Sequence, residues 1–222
     1  PYHGDKKNIQ PGYWKFKNVD GSEDNQITES DKTIIGNALP DFYGGINNTF
    51  NWKDFDLSIF FTYSYGAEVL NATKLTNTKT ALTNKNVLSV ADEAHRWVTI
   101  NANGELITNP EELAAVNRGK TIAHFGDNGS NNTYIHSWAI EDASYLKLSN
   151  ITLGYTFPKK VINKIGLTKL RLYATGNNLF TWTPYTGFDP EVSTMSSALT
   201  PGVDFGAYPR SRSFVFGVNV AF

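Results

Sequence analysis

Five segments of the chain alternate between apolar and polar residues with a period of two, a pattern typical of β-strands whose two faces meet different surroundings. In Phe55–Tyr65, for example, the odd-numbered residues are aromatic or aliphatic and the even-numbered residues are polar, except for Phe60. Each segment has roughly the 9–11 residues that a tilted strand needs to cross a bilayer. The predicted strands are Phe42–Phe50, Phe55–Tyr65, Tyr145–Phe157, Leu170–Phe180 and Ser213–Phe222.

The connections between these strands are alternately short and long. Residues 51–54 and 158–167 form short links, whereas residues 66–144 and 181–212 form long ones. Antiparallel strands of outer-membrane barrels are joined in this way, with short periplasmic turns and long extracellular loops. The order of the connections therefore favours a membrane barrel over a compact soluble domain, in which loops of this length are uncommon.

The connections are expected to contain local structure of their own. The sequence Val87–Val98 predicts a short amphipathic helix, and Pro110 predicts the first turn of another helix. Residues 158–167 are long enough for about two helical turns.

Aromatic residues lie near the predicted strand ends, where a belt at a membrane interface would need them. They are Trp52, Tyr63, Tyr65, Trp182 and Tyr185. The alternative at this point is a soluble β-sandwich with an aromatic core. The mean hydropathy of −0.35 is compatible with both, because only alternate strand residues of a barrel meet lipid.

The composition excludes several other classes of protein. The net charge of −1 gives no reason to expect nucleic acid binding, and the absence of cysteine excludes disulfides and thiolate metal sites. The histidines show no metal-binding spacing, and no nucleophile or phosphate-loop motif occurs, so the chain is not expected to be an enzyme. These histidines are His3, His95, His124 and His136.

Six stretches of the chain carry motifs of a known family. They are Thr33–Gly36, Phe55–Phe61, Ile140–Tyr155, Leu170–Trp182, Phe188–Val192 and Tyr208–Phe214. These stretches resemble the SusC/RagA family of TonB-dependent outer-membrane transporters. The similarity covers nearly the whole chain from about Gly12 and keeps the motifs of the family in order.

The resemblance implies an all-β fold made of the last five antiparallel strands of a barrel of about 22 strands. Five strands cannot close a barrel in lipid, so the chain is expected to be a fragment that lacks the N-terminal plug and most of the barrel. It also implies a C-terminal assembly signal on the last strand. The signal residues are Phe214, Phe216, Val218, Val220 and Phe222.

The expected division of the chain follows from these strands and loops. An extracellular loop, 1–41, precedes a strand hairpin, 42–65, and a long extracellular loop, 66–144. A strand pair, 145–180, an extracellular loop, 181–212, and the final strand, 213–222, complete it.

The resemblance also implies a function, which is TonB-dependent import of a nutrient across the outer membrane of a Gram-negative cell. An oligosaccharide is the favoured substrate, and the partners implied are a SusD-like surface lipoprotein and TonB. The alternatives are a peptide importer of the same family and, from a different class, a soluble β-sandwich binding module. The loop 181–212 combines flat rings with carboxylates, which suit the faces and hydroxyls of a sugar; the alternative is packing against neighbouring loops or a place in the interfacial belt. Its candidate ligand-binding residues are Trp182, Tyr185, Phe188, Asp189 and Tyr208.

One acidic stretch has the spacing of a calcium-binding loop. Its oxygen-bearing residues stand at positions 1, 3, 5, 7, 9 and 12 of an EF-hand-like pattern. They are Asp20, Ser22, Asp24, Gln26, Thr28 and Asp31. Asn25 replaces the usual glycine and Asp31 the usual glutamate, so a solvated acidic loop is the alternative to a structural Ca²⁺ site.

Calorimetric titration with Ca²⁺ tests this prediction. Saturable heat of binding is expected if the loop holds the ion through its carboxylates and the carbonyl of Gln26. The absence of binding at millimolar Ca²⁺ would rule the site out.

Overall fold

The structure, a computed structural model, describes residues 2–3, 11–22, 26–78, 86–124, 134–191 and 200–222. The strands are β1 Tyr2–His3, β2 Gln26–Ile27, β3 Phe42–Trp52, β4 Phe55–Tyr65, β5 Glu68–Asn71, β6 Ile140–Asp142, β7 Tyr145–Thr156, β8 Lys169–Trp182, β9 Val203–Asp204 and β10 Ser213–Ala221. The α-helices are α1 Ala72–Asn77, α2 Pro110–Val116 and α3 Lys159–Ile162, and single 3-10 turns occur at Glu29–Asp31, Ser89–Ala91, Ser137–Ala139 and Asn163–Ile165. None of the helices in these residues is long and apolar enough to cross a membrane.

The five predicted strands form one antiparallel sheet with the strand order β10-β8-β7-β4-β3. Their lengths of 11, 11, 12, 14 and 9 residues in chain order reach or exceed what a tilted membrane strand needs. The first hairpin is tighter than the sequence predicted, because the strands extend to Trp52 and restart at Phe55. Only Lys53 and Asp54 make the turn, and Lys53 adopts a positive φ of 54°.

The register of the sheet confirms the two faces predicted from the alternation. Phe50 lies opposite Leu57, Leu57 opposite Leu153, Leu153 opposite Ala174 and Ala174 opposite Phe216. Because paired residues point to the same side of a sheet, the apolar sets of all five strands form one continuous face. We call this the outward face and the opposite one the polar face.

The outward face is exposed. Phe50 is 57% exposed, Leu153 50% and Phe216 80%, so no second layer of the described residues covers them. A β-sandwich buries one face of each sheet against the other. The soluble sandwich considered from the sequence is therefore wrong.

Aromatic residues cluster at both ends of the outward face. At the end of the sheet where the short links join the strands, which we call the turn end, the Phe55 ring lies 6.2 Å from Trp52 and 4.7 Å from Tyr155. At the opposite end, where the long connections leave the strands and which we call the loop end, Phe42 stacks on Tyr65 at 5.1 Å. A second stacked pair completes this loop-end cluster. That pair is Phe180 and Trp182, at 6.0 Å.

The distance between the two clusters matches a bilayer. The rise of β4 along its own axis is about 33 Å, which at a strand tilt of about 40° spans roughly 25 Å of membrane thickness. Aromatic girdles on either side of an apolar band of this height are typical of outer-membrane barrels.

A β-bulge at Ser149 interrupts the alternation. Leu148 and Asn150 pair with consecutive residues of β4, which leaves Ser149 as an extra residue in β7. The neighbouring strand β8 is also irregular opposite the bulge, where Asn178 adopts a positive φ of 53°. As a result Leu148 and Ile151 both join the outward face although they are three residues apart.

Phe60 is an aromatic residue on the polar face, and a contact with the neighbouring strand explains its place there. Its ring lies over Gly45 of β3, where a Cβ atom would come within 2.8 Å of it. An aromatic ring laid over a strand glycine covers the backbone that the glycine leaves bare.

The chain divides into two compact units, residues 1–36 with 71–140 and residues 37–70 with 141–222. The first contains a ring cluster in which Trp14 lies 4.6 Å from His136 and 5.2 Å from Trp138. The second contains the five-stranded sheet and, at its loop end, a three-stranded sheet in the order β6-β5-β9.

The helix predicted at Val87–Val98 is wrong. The chain forms a single 3-10 turn at Ser89–Ala91, and the Asp92 carboxylate then accepts hydrogen bonds from the backbone N–H groups of Ala94 and His95. Asp side chains that satisfy nearby backbone donors compete with helix formation in this way.

The other local predictions are confirmed. Helix α2 begins at Pro110, and the Asn109 side chain accepts hydrogen bonds from the N–H groups of Glu111 and Glu112. The link 158–167 holds α3 and a 3-10 turn, and ends at Gly166 in the left-handed conformation.

Replacing Phe216 by arginine is expected to impair insertion, because a charge on the lipid-facing side costs about 2–4 kcal/mol near the bilayer midplane. Val215→Arg is the matched control, since the neighbouring residue points to the polar face. The measurement is the amount of full-length protein assembled in the outer membrane. Equal assembly of Phe216→Arg and wild type would contradict the lipid-facing assignment.

Candidate functional site

A salt bridge crosses the polar face at its turn end. The Arg171 guanidinium on β8 donates to both carboxylate oxygens of Asp56 on β4, with Nε–Oδ1 at 2.9 Å and Nη2–Oδ2 at 2.5 Å. Strand β7 runs between them, and a Cβ atom on its Gly154 would overlap both groups. The glycine thus allows two strands that are not neighbours to be linked across the polar face.

Small polar side chains continue this network along the strands. Thr152 shares a hydrogen bond of 2.8 Å with Thr175. Asn150 donates to Asn177 at 2.8 Å, and Asn177 donates to Ser213 at 3.0 Å. A face made of such groups suits contact with water or with polar protein surface, as in the interior of a large barrel.

A buried ionic cluster lies where β7 reaches the loops. We call Tyr145, Lys147, Asp189 and Glu191 the Lys147 cluster. Lys147 is 3% exposed, and its ammonium contacts the Glu191 carboxylate directly and lies 3.8 Å from Asp189. The Tyr145 hydroxyl donates to Glu191 at 2.8 Å. A buried cation with two carboxylate partners ties the segment 183–191 to the strand.

The environment of Glu191 favours its ionised form. Burial opposes ionisation, but the hydrogen bonds from Lys147 and Tyr145 outweigh it and hold the pKa of Glu191 below its usual value. The carboxylate is therefore charged at neutral pH and keeps Lys147 paired.

A second buried contact fixes the other end of the same loop. The Tyr185 hydroxyl donates to Asp204 at 2.7 Å, and Asp204 also accepts from the backbone N–H groups of Gly206 and Ala207. Burial and the bond to Asp204 raise the pKa of Tyr185, so the phenol stays neutral. Tyr185 packs with Val69 in the small core of this unit, and not in the interfacial belt where the sequence placed it.

The five predicted ligand-binding residues do not share one surface. Tyr185 and Asp189 are buried in the contacts just described, whereas Trp182 belongs to the loop-end aromatic cluster. Phe188 and Tyr208 are 72% and 90% exposed among the described residues. A ligand role for any of them stays a prediction.

The predicted calcium residues are described only in part. Asp24 lies outside the described residues. The Asp31 carboxylate accepts backbone hydrogen bonds from Thr28 at 2.7 Å and Val19 at 2.8 Å, and these bonds hold its pKa below the usual value. Asp31 is thus ionised, but each of its two oxygens already accepts a backbone hydrogen bond, and the calcium site stays a prediction.

A cavity of about 700 Å³ lies beside this loop within the first unit. Thr28 and Asp31 stand on its wall together with Phe16 and Tyr134, whose rings are 6.1 Å apart. Its volume is in the range of small-molecule sites.

Sequence reasoning missed the Asp56–Arg171 bridge and the central role of Lys147. One signal was present for the bridge, since Asp56 and Arg171 occupy polar-face positions of predicted strands, whereas Lys147 reaches the polar face only because of the bulge at Ser149. Which of them meet depends on the strand order β8-β7-β4, and a single sequence does not give that order.

The chain is similar to several curated proteins. TonB-dependent receptor P3 of Formosa agariphila is 34% identical over 217 residues, which are 96% of this chain and 19% of the relative. TonB-dependent receptor SusC of Bacteroides thetaiotaomicron is 29% identical over 206 residues, 92% of this chain and 17% of SusC. The chain thus spans about a fifth of the length of the curated relatives it matches. No family model matches it.

Solved structures show the same fold. The RagAB peptide transporter matches 89% of this chain and 19% of its own chain with a TM-score of 0.66 and 22% identity. The RagAB peptide importer in the open-open state matches 95% of this chain with a TM-score of 0.64.

The sheet is therefore a five-stranded section of a transmembrane β-barrel, with its loops gathered at one end. The chain belongs to the TonB-dependent receptors of the SusC/RagA family and corresponds to their C-terminal barrel region.

Acidification is expected to loosen the segment 183–191. Because the folded-state pKa of Glu191 is lowered, its carboxylate contributes stability above the ordinary pKa of 4.5, and this contribution is lost as the pH falls through the lowered value. Hydrogen exchange of amides 183–191, corrected for intrinsic rates, measures the effect.

The variant Glu191→Gln is expected to show at pH 7 the lower protection that wild type shows in acid. Glu112→Gln, an exposed substitution on α2, is the control. Unchanged protection in Glu191→Gln would mean that the Lys147 cluster does not hold this segment.

Proposed function

We propose that this chain forms part of an outer-membrane importer that takes up an oligosaccharide by TonB-dependent transport. The observation that carries the proposal is the sheet with one exposed apolar face between two aromatic clusters and one hydrogen-bonded polar face. The first face suits hydrocarbon and the second suits a wide polar interior. The TonB-dependent receptors it resembles support the transport role.

The mechanism needs no covalent step from these residues. Substrate binds at the loops, a surface lipoprotein of the SusD type closes over it, and TonB supplies work through a plug in the rest of the protein. The residues of this chain would hold the barrel wall and its loops in fixed geometry for those movements. The Asp56–Arg171 bridge and the Lys147 cluster serve that purpose.

An oligosaccharide is the favoured substrate because of the exposed rings on the loop. Phe188 projects from the segment 183–191, which is fixed by buried contacts of Tyr185 and Asp189. Tyr208 follows Ala207, whose backbone N–H donates to Asp204, the partner of Tyr185. Flat apolar rings beside hydrogen-bonding groups offer both surfaces that a sugar ring requires. Preorganised rings also lose little entropy when a ligand binds.

A peptide is the second candidate substrate. Among the solved structures with this fold is a peptide transporter, RagAB, and exposed rings also bind apolar peptide side chains. Uptake assays with oligosaccharides and peptides of similar size distinguish the two classes.

Membrane fractionation and uptake by the whole protein test the general function. The protein is expected to need detergent for extraction, and uptake is expected to stop when the gene or TonB is removed. Extraction without detergent, or uptake that does not depend on TonB, would contradict the proposal.

The double variant Phe188→Ala/Tyr208→Ala is expected to weaken oligosaccharide binding about tenfold or more, as for truncation of aromatic contact residues. Ile34→Ala, at an equally exposed apolar loop residue outside the predicted set, is the control. The measurement is the dissociation constant for the purified full-length protein. If peptide binding falls and oligosaccharide binding does not, the substrate is a peptide.

A further inference from the structure

Lysine side chains gather at the turn end of the five-stranded sheet. Lys53 makes the turn between β3 and β4, and Lys159, Lys160 and Lys164 lie in the link between β7 and β8. All four are exposed, and none forms an ion pair with a described residue. The link 158–167 contains no acidic residue, so its positive charge is not neutralised from within.

The two connections that carry these lysines are neighbours. Strands β4 and β7 pair along their length, and at the turn end the backbone N–H of Thr156 donates to the carbonyl of Asp54 at 2.8 Å. The turn at Lys53 and the start of the link therefore lie side by side at one edge of the sheet.

The carboxylates at this edge leave the lysines in excess. Asp56 is engaged by Arg171, and Asp54 is the other carboxylate of the first hairpin. A carboxylate at Phe222, which follows β10 at the same end, would still leave more lysines than acidic groups. An anion is therefore attracted to this edge.

The ammonium of Lys53 lies on the lipid-facing side of the sheet. Trp52 pairs with Phe55, two positions beyond the pair of Phe50 with Leu57, so the Trp52 ring belongs to the outward face. The Lys53 Nζ atom lies over this ring, 5.0 Å from its centroid. A cation held against an outward ring at the strand end stands at the level of the lipid headgroups.

The rings of the outward face continue from this cation to the link. Phe55 lies 6.2 Å from Trp52 and 4.7 Å from Tyr155. Phe157, which immediately precedes the link, lies 4.9 Å from Tyr155. Acyl chains would pack on this row of rings while the headgroup meets the lysines at its edge.

The link itself combines apolar and basic residues. Val161 and Ile165 are exposed although they are apolar, and they stand four residues apart, as Lys160 and Lys164 do. The first pair thus shares one side of consecutive helical turns, and so does the second. Amphipathic helical segments of this composition lie at membrane interfaces, where lysine stems reach out to the headgroups.

These features select an anionic phospholipid over other occupants. Each lysine near an anionic membrane surface strengthens association about fivefold. An acidic protein of the periplasm would match the charge, but it would not reach outward rings that lie against hydrocarbon. The short links of such a sheet stand on the periplasmic side, so the lipid belongs to the periplasmic leaflet.

We propose that the turn end binds an anionic phospholipid of the periplasmic leaflet, with its phosphate among Lys53 and the lysines of the link and an acyl chain along Phe55 and Tyr155. The proposal rests on the proposed placement of the sheet in the outer membrane. Bound lipid would hold the first hairpin and the link 158–167 at one depth in the membrane.

Native mass spectrometry of the detergent-purified full-length protein tests the proposal, with phosphatidylglycerol as the probe. Wild type is expected to bind it more tightly than phosphatidylcholine with the same acyl chains, and added salt is expected to reduce this preference. Lys53→Gln/Lys160→Gln is expected to weaken phosphatidylglycerol binding on the order of twentyfold, as the loss of two lysines predicts. Its binding of phosphatidylcholine is expected to stay unchanged.

A matched control separates the turn end from the overall charge of the protein. Lys15→Gln/Lys17→Gln removes the same charge from exposed lysines of the loop 1–41 and is expected to bind phosphatidylglycerol as wild type does. Equal binding by Lys53→Gln/Lys160→Gln and wild type would overturn the lipid site.

A spin label at Ile165→Cys, in the full-length protein without other cysteines, tests the position of the link. In vesicles that contain phosphatidylglycerol, the label is expected to be more accessible to oxygen than to a water-soluble nickel complex. A label at Arg118→Cys, an exposed loop position, is expected to show the reverse. Preferential access of the nickel complex to Ile165→Cys would mean that water covers the link, and exclusion of both reagents would mean that protein does; either result would contradict the proposal.

Membrane assembly and substrate uptake are measured in parallel. If wild type assembles and imports its substrate but shows no preference for phosphatidylglycerol, the lipid site is wrong and the proposed function stands. If wild type itself fails to assemble in the outer membrane, the proposed function is wrong, and with it the premise of the lipid site.

Discussion

The structure depends on backbone pairing between neighbouring strands. Hydrocarbon offers no hydrogen-bond partner, so every N–H and C=O group of a membrane strand must be satisfied by the adjacent strand. The register that achieves this also sorts the side chains, because a slip of one residue would exchange the two faces. In this sheet one register brings Phe50, Leu153 and Phe216 to the same face.

The polar face carries the ionic contacts that link strands to one another and, at the loop end, a loop segment to a strand. Gly154 leaves space for Asp56 and Arg171 to meet across β7, and the Lys147 cluster ties the segment 183–191 to the same strand. Breaking a buried ion pair by removing one partner costs about 3–5 kcal/mol, so such contacts fix a loop more firmly than surface pairs do. Phe188, which lies in that segment, accordingly projects from a fixed base.

Aromatic residues at the loop end lie in three different surroundings. Trp182 belongs to the outward face, whereas Phe188 and Tyr208 are exposed on the loop. Tyr185 is buried against Asp204 and stabilises the loop. The sheet and its loops thus place the members of one candidate set in different surroundings.

The sequence alone determined the strands, their faces and the family, because a period of two and an ordered set of motifs are local properties of a chain. It did not determine which strands are neighbours, and so it missed the contact of Asp56 with Arg171. It also missed the bulge at Ser149, since one extra residue has no signature until a partner strand skips it. The helix predicted at Val87–Val98 failed because the Asp92 side chain satisfied backbone donors that a helix would have used. Pairing and burial act between distant residues, and only the tertiary structure decides them.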